Sequence, residues 1–419
     1  MNIASHYLCC AIKPPVSNPG PRKIRIRFRL FILVLLTACV SAQETLKLSV
    51  ANNVVLVPVR VNGRSLLFLF DTGSERSAID ARLAELLGLE GIGDVQILRN
   101  YRVQETSTAA AGTLAIGKHV FEHTLLTVVN MEAAARALGV NVDGILGNDI
   151  LGELSFRLNY SKQELVFGPP SRLGIRAATI DLRRSGDQFF VPVQTMSLPA
   201  ELLLDTGTNS TNLSWGTWQQ LSERWTPPSI VDGVVRAGVP TPPAFLVCLP
   251  NLSVGNVTIA DPVVRIHRPV ESGAFSTEQF AGILGSELLR EFEITFDLKH
   301  NRIFLKKDPD FRPNPLRYPT IGIQFARNNQ GKYCVMSVWK KSPADEAGVT
   351  IGDQINTING EAAASMRTEQ VSGRLRGEEG TRVNLTIERN GKSSALRLRT
   401  RQMLCRHTRE HLPETKSPE

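Results

Sequence analysis

Cysteine is scarce in this chain of 419 residues: there are six, and none forms a CxxC pair. Cys9, Cys10 and Cys39 fall in the first forty positions, and Cys248, Cys334 and Cys405 stand far apart and odd in number. No disulfide framework is expected from that spacing. The seven histidines show no HExxH pattern and no clustered ligand spacing, so no metal site is expected. GxSxG and GxGxxG are both missing, which removes the usual serine-hydrolase elbow and dinucleotide loop. No cofactor is called for. The apolar run Leu30–Leu36 is too short to span a bilayer as a permanent helix.

The chain also lacks a basic face. Its net charge is +8, but six basic residues and no acidic one lie in residues 1–42: Lys13, Arg22, Lys23, Arg25, Arg27 and Arg29. Taking those six from the total of 48 leaves 42 basic against 40 acidic residues, so nucleic acid is not an expected partner. The basic stretch followed by the apolar run reads instead as an export signal over residues 1–42. Two cleavage sites compete. Val40-Ser41-Ala42 offers small residues before Gln43, whereas Leu36-Thr37-Ala38-Cys39 resembles a lipobox that would leave Cys39 lipidated and the protein attached to a membrane. The expected location is the periplasm or the cell envelope, with secretion as the alternative. The long basic region leaves open a start downstream of Met1.

What is present is a repeat. Gly144–Phe167 (GILGNDILGELSFRLNYSKQELVF) and Gly282–Leu305 (GILGSELLREFEITFDLKHNRIFL) align without a gap at an offset of 138 residues. Two Asp-Thr-Gly triplets, Asp71-Thr72-Gly73 and Asp205-Thr206-Gly207, are offset by 134. Two matches at nearly one offset indicate a duplicated domain. Each half reads as mostly β. Val54–Val59 and Ser65–Phe70 are strand-like and joined by a turn at Asn62-Gly63, and Phe189–Val193 and Leu202–Leu204 repeat the plan. A short helix is expected at Ala81–Leu87. The expected organisation is a first lobe at 43–168, a second at 169–309, a Pro-rich linker at 310–319, a further domain at 320–403 and a polar tail at 404–419.

One Asp-Thr-Gly would be weak evidence, since roughly one chain in ten of this size contains it by chance. Two copies, each after an apolar strand and each followed by Ser or Thr, point to chemistry. Two carboxylates brought to about 3 Å cannot both ionise freely, so the pair holds one proton over a wide pH range. The ionised member can take a proton from water and the protonated member can donate to a peptide carbonyl. Gly73 and Gly207 allow close approach and offer amide donors. Thr72 and Thr206 can hydrogen-bond across to the opposite lobe, and Ser74 and Thr208 can donate from their hydroxyls to the outer carboxylate oxygens.

On these motifs residues 45–306 resemble the aspartic-protease superfamily in its retropepsin-like form, here with both triplets in one chain. The resemblance implies Asp71 and Asp205 as the catalytic pair, Ile145-Leu146-Gly147 and Ile283-Leu284-Gly285 as the loops beneath them, and peptide or protein substrates. Tyr101–Gly112 and Val231–Pro240 are the flap candidates. Residues 320–403 resemble a PDZ domain, through Ser342–Gly348, Ile351–Ile355 and Ile358-Asn359-Gly360. That likeness implies a helix near Thr368–Leu375 and a carboxylate-binding turn at Ile321-Gly322-Ile323 that would hold a peptide ligand. The implied fold is mainly β: duplicated retropepsin-like acid-protease β-barrel lobes followed by a PDZ β-sandwich with two helices. The expected activity is aspartic endopeptidase, against the alternative of a non-catalytic peptide-binding scaffold. Trp215, Trp218 and Trp225 read as core or cleft wall, and Arg397, Arg399 and Arg401 as a solvated strand face.

Overall fold

The computed structural model describes residues 43–99, 102–170, 178–234, 244–268, 280–311, 319–328 and 330–405. The expected signal, Cys39 within it and most of the Pro-rich linker lie outside these residues.

The fold is mainly β and has two lobes and a C-terminal domain. In the first lobe, Val54–Val61 and Arg64–Phe70 pair antiparallel across the turn at Asn62 and Gly63. Both turn residues have positive φ, 48° and 81°, the geometry that lets a two-residue hairpin match the strand twist. Six of the eight side chains of Val54–Val61 are buried, because this strand is covered on both faces. Arg64–Phe70 then runs parallel to Gly144–Leu146, with Phe70 opposite Leu146. The second lobe repeats the arrangement: Leu198–Asp205 runs parallel to Gly282–Gly285, with Asp205 opposite Gly285. The short first-lobe helix spans Ala81–Leu86 and is capped by Asp80.

The repeated segments meet in a six-stranded sheet that both lobes build. Its central pair is Ser155–Asn159 against Phe292–Asp297, antiparallel, with Phe156 opposite Phe296. Those rings stack at 4.8 Å, and Phe70 meets Phe156 edge-on at 5.2 Å. All three phenyl groups are fully buried. At about 1.5–3 kcal/mol for each buried large apolar side chain, they tie the strand that ends in Asp71 to the seam between the lobes.

The C-terminal domain orders Ile323–Arg327, Tyr333–Val338, Gln354–Ile358, Arg382–Arg389 and Lys392–Arg399 into one sheet. Its core holds Ile321, Val335, Ile355, Val371 and Leu385. The helix Pro343–Glu346 begins at Ser342, whose hydroxyl accepts from the Asp345 amide, with proline at its first position. A longer helix spans Thr368–Arg374. Buried Asp353 accepts two bonds from Arg389, at 2.6 and 2.7 Å.

The cysteine expectation is corrected. Cys248 of the second lobe and Cys405 form a disulfide across 157 residues, and among the described residues Cys334 is the free thiol. The pairing comes from docking: Trp339 and Leu404 are buried with Val231, Leu246 and Val263 of the second lobe. Leu404 and Cys405, assigned by sequence to a polar tail, are therefore part of the packed structure, and residues 406–419 lie outside the described residues. Arg401 is likewise not merely solvated, since it makes a bidentate pair with Glu346 at 2.7 and 2.8 Å.

Candidate active site

Each triplet aspartate sits where an apolar strand ends and is fixed by its parallel neighbour. The Asp71 amide donates to the Leu146 carbonyl at 3.0 Å. Asp205 closes its own strand beside Gly285. The two carboxyl groups are hydrogen-bonded to each other. Burial, and next the Asp205 charge, hold the Asp71 carboxyl well above its ordinary range, while amide donation from Gly73 and Ser74 pulls it partly back. The Gly73 amide donates to Asp71 Oδ1 at 2.9 Å, and the Thr208 amide to Asp205 Oδ1 at 2.8 Å.

The triplet glycines are set by contact. A Cβ on Gly73 would lie 2.4 Å from Asp205 Cγ, and one on Gly207 would lie 2.3 Å from Asp71 Cγ. Each glycine is thus packed against the opposite aspartate. Between them the threonines form a closed cross-lobe lattice, as their hydroxyls suggest. Thr72 Oγ1 donates to the Leu204 carbonyl at 2.9 Å and accepts from the Thr206 amide at 3.1 Å. Thr206 Oγ1 donates to the Phe70 carbonyl at 2.8 Å and accepts from the Thr72 amide at 3.1 Å.

The expected role of the next hydroxyl is corrected. Ser74 Oγ donates to the Arg76 carbonyl at 2.8 Å, two residues on, and it is the Ser74 amide that serves the Asp71 carboxylate. A serine hydroxyl in a turn has a backbone acceptor nearer than the carboxylate, and takes it. At Thr208 the donor to Asp205 is again the amide.

A supporting ring was missed by the sequence reading. Ser77 Oγ accepts from the Gly147 amide at 3.0 Å and donates to Asp149 Oδ1 at 2.7 Å. Its counterpart, Thr211 Oγ1, accepts from the Gly285 amide at 3.1 Å. Asn148 Nδ2 donates to the Thr72 carbonyl and Ser286 Oγ to the Thr206 carbonyl, both at 2.8 Å. Setting DTGSERS beside DTGTNST would have revealed Ser77 and Thr211, since a hydroxyl falls six residues after each aspartate. Burial raises Asp149 above the ordinary carboxyl range and raises the Tyr160 phenol, whose oxygen lies 2.9 Å from Ser286 Oγ.

The dyad opens into a cleft of about 850 Å³. Leu69, Ile145 and the helix Glu132–Leu138 line it from the first lobe, Thr208–Thr211 from the second. Its far wall is the C-terminal domain: the strand Ile323–Arg327, Thr368, Ser372 and Arg376. The expected carboxylate turn is partly engaged at home. The Ile321 amide donates to the Leu375 carbonyl and the Gly322 amide to Thr320 Oγ1, each at 3.2 Å. Of the flap candidates, 102–112 belong to the strand Arg102–Ile116, paired with Glu90–Arg99; residue 101 lies outside the described residues. Val231–Val234 belong to the strand Ile230–Val234, and 235–240 lie outside.

Residues 57–150 match the aspartyl protease family model, and residues 319–400 match the PDZ domain model. Among curated proteins, the carboxy-terminal processing protease CtpB of Bacillus subtilis is 36% identical over 72 residues, covering 17% of this chain and 15% of that protein. A probable CtpA-like serine protease of Staphylococcus saprophyticus is 34% identical over 74 residues, with the same coverage of 17% and 15%. Both matches fall in the PDZ region. The chain thus spans about 15% of the length of these relatives. Among solved structures, the aspartic proteinase from Irpex lacteus superposes with a TM-score of 0.43 at 14% identity, covering 64% of this chain and 98% of that one. Basic 7S globulin from soybean gives 0.41 at 12% identity, covering 64% and 95%. The chain thus joins a region whose first lobe matches the aspartyl protease model, followed by a second lobe of the same plan, to a C-terminal region that matches the PDZ domain model.

Proposed function

We propose that this chain is an aspartic endopeptidase that hydrolyses peptide bonds with a water activated between Asp71 and Asp205. The observation that carries this is the hydrogen-bonded carboxyl pair held by the cross-lobe threonine lattice. The pair shares one proton: the ionised member takes a proton from water as it attacks the carbonyl carbon, and the protonated member donates to the carbonyl oxygen. The tetrahedral intermediate collapses as the nitrogen is protonated and leaves. Only the singly protonated pair is competent, so activity has a bell-shaped pH profile.

The test is direct. Asp71→Asn and Asp205→Asn are nearly isosteric, and each removes an acid or a base. Each single variant should be about as inactive as the double, because groups that work as a unit are not additive. A folded Asp71→Asn protein that hydrolyses peptides near the wild-type rate would sink the proposal, and a wild type that binds peptides without cleaving them would favour a scaffold.

Export belongs to the same proposal, to the periplasm or cell envelope. The basic stretch before an apolar run supports it, as does the Cys248–Cys405 disulfide, which persists in oxidising compartments. Palmitate-analogue labelling that depends on Cys39 would mark a lipoprotein; its absence would mark cleavage after Ala42. Full-length protein retained in the cytoplasm would refute export.

A further inference from the structure

The repeat symmetry is broken at two positions near the dyad, and the two breaks answer each other. In the aligned segments Asn148 stands where the second half has Ser286, and Tyr160 stands where it has Leu298. Asn148 Nδ2 and Ser286 Oγ do one job: each donates to the carbonyl of its triplet threonine, at 2.8 Å. What holds each donor differs. The Asn148 amide also donates across the lobe seam, to the Asp187 carbonyl at 2.6 Å. Ser286 has a single hydrogen, and Thr206 receives it. Its other partner must therefore be a donor. That donor is Tyr160 of the first lobe, whose phenol oxygen lies 2.9 Å from Ser286 Oγ. Leu298, the repeat mate of Tyr160, is buried and has no hydroxyl to give.

The result is a relay across the seam: the Tyr160 hydroxyl donates to Ser286 Oγ, and the Ser286 hydroxyl donates to the Thr206 carbonyl. All three residues are buried. Burial first, and then the Asp205 charge, raise the phenol above its ordinary range, against the Ser286 bond and the Arg290 charge, so it keeps its hydrogen and donates at any working pH. The threonine lattice uses the amide and the hydroxyl of Thr206 and leaves its carbonyl to the relay. The peptide group held in this way leads into Gly207, which is packed against the Asp71 carboxyl. Tyr160 itself directly follows the seam strand Ser155–Asn159. One phenol thus connects the sheet that both lobes build to the backbone on which the first aspartate rests.

We propose that Tyr160 is a positioning residue of the dyad: acting through Ser286, it seats the Thr206–Gly207 peptide against Asp71, as the Asp187 carbonyl, acting through Asn148, seats the first triplet. The relay rests on the peptidase proposal for its effect on rate, and on the bond chain alone for its effect on the carboxyl pair. It makes the two halves unequal by construction, one triplet braced by an amide and the other by two hydroxyls in series.

The experiment uses the full chain. Tyr160→Phe keeps the ring and removes the hydroxyl, Ser286→Ala removes the relay at its middle, and the double variant removes both. Each is measured for kcat and KM on one internally quenched peptide, with the denaturant midpoint alongside. A misplacement of about 1 Å can cost about 100-fold, so the smaller slack left by Tyr160→Phe should lower kcat about 3- to 10-fold, with KM within about twofold of wild type. Ser286→Ala should lose more, and the double variant no more than Ser286→Ala, because the phenol acts only through the serine. A lowered midpoint with unchanged kcat in Tyr160→Phe would make the residue mere packing and overturn the proposal, as would losses that add in the double variant. A second arm reads the carboxyl pair without turnover, by NMR of chain labelled with carbon-13 at the aspartate carboxyls, the Asp71 signal being the one lost in Asp71→Asn. Burial and the Asp205 charge are what raise Asp71, and loosening Gly207 weakens both, so Tyr160→Phe should move the upper titration step of the pair down toward 3.8. A wild-type titration in Tyr160→Phe would overturn the relay. A wild type that cleaves nothing would sink the peptidase proposal and leave the relay to be decided by the titration.

Discussion

Replacing Thr72 by valine keeps the shape of the side chain and removes one hydroxyl. That hydroxyl makes two bonds across the lobe seam, to the Leu204 carbonyl and from the Thr206 amide, and the side chains of Thr72 and Thr206 are fully buried. Valine leaves both backbone groups without a partner. At about 1–3 kcal/mol for each buried unsatisfied group, the substitution costs about 2–6 kcal/mol. The cost falls where the lobes meet, so it appears in the dyad as well as in stability. A misplacement of about 1 Å between reacting groups can cost about 100-fold in rate. Thr72→Val should therefore lower both the midpoint of denaturant unfolding and kcat, whereas Thr72→Ser, which keeps the hydroxyl, should lose little of either. Thr206→Val should behave alike, and the double variant should cost less than the sum, because the hydroxyls brace one seam. A Thr72→Val protein with wild-type midpoint and wild-type kcat would refute the claim that the lattice sets the carboxyl geometry.

Three further outcomes are expected. Because the folded Asp71 carboxyl holds its proton above the ordinary value of 3.8, its burial costs stability as pH rises through and beyond that value; Asp71→Asn should gain stability over wild type at neutral pH and lose the advantage in acid, measured by denaturant midpoints across pH. Burial opposes ionisation of Asp80, but amide donation from Met131 and pairing with Arg82 outweigh it and hold the group below 3.8, so its contribution is present above that value and fades as pH falls through the folded value. Asp80→Ala, which also strips the cap of the helix Ala81–Leu86, should cost about 2–4 kcal/mol at neutral pH, with the deficit narrowing in acid. Finally, Cys405→Ser should destabilise the fold by up to about 5 kcal/mol, the chain-entropy value for a loop closed over 157 residues, and an unchanged melting transition would show that docking alone holds the PDZ end.

The duplicated lobes and their aspartates were legible because their signals are local. An apolar strand, a polar triplet and a Gly-Ile-Leu-Gly strand are each contiguous, and repetition at offsets of 134 and 138 ties them together. The threonine lattice followed from the pseudo-symmetry, since each hydroxyl must face its own copy. Ser74 did not follow, because the direction of a hydroxyl depends on whichever acceptor lies nearest, and here the Arg76 carbonyl intervenes. The disulfide was hidden for a different reason. Cys248 lies in a second-lobe strand and Cys405 at the far end of the PDZ domain, and only the burial of Trp339 and Leu404 against Val231 and Val263 brings them together. Pairwise docking of two domains leaves almost no periodic trace in either.

The same docking decides how the PDZ domain can be tested. A domain hung on a loose linker could be deleted, and any change in activity assigned to lost peptide binding. Here deletion would uncover Val231, Leu246 and Val263, break the disulfide at Cys248, and open a wall of the cleft that holds Asp71 and Asp205. The strand Ile323–Arg327 also abuts the first-lobe helix Glu132–Leu138, and Thr368 Oγ1 lies 3.7 Å from where a Cβ on Gly139 would be. Loss of activity on deletion would then report lost structure and lost recognition together. Substitution within the groove separates them, because a single side chain on the cleft-lining side of the strand Ile323–Arg327 can be changed without uncovering the dock or breaking the disulfide. A change in KM confined to one class of peptide at such a position would assign recognition to the PDZ wall, which no truncation of this chain can do.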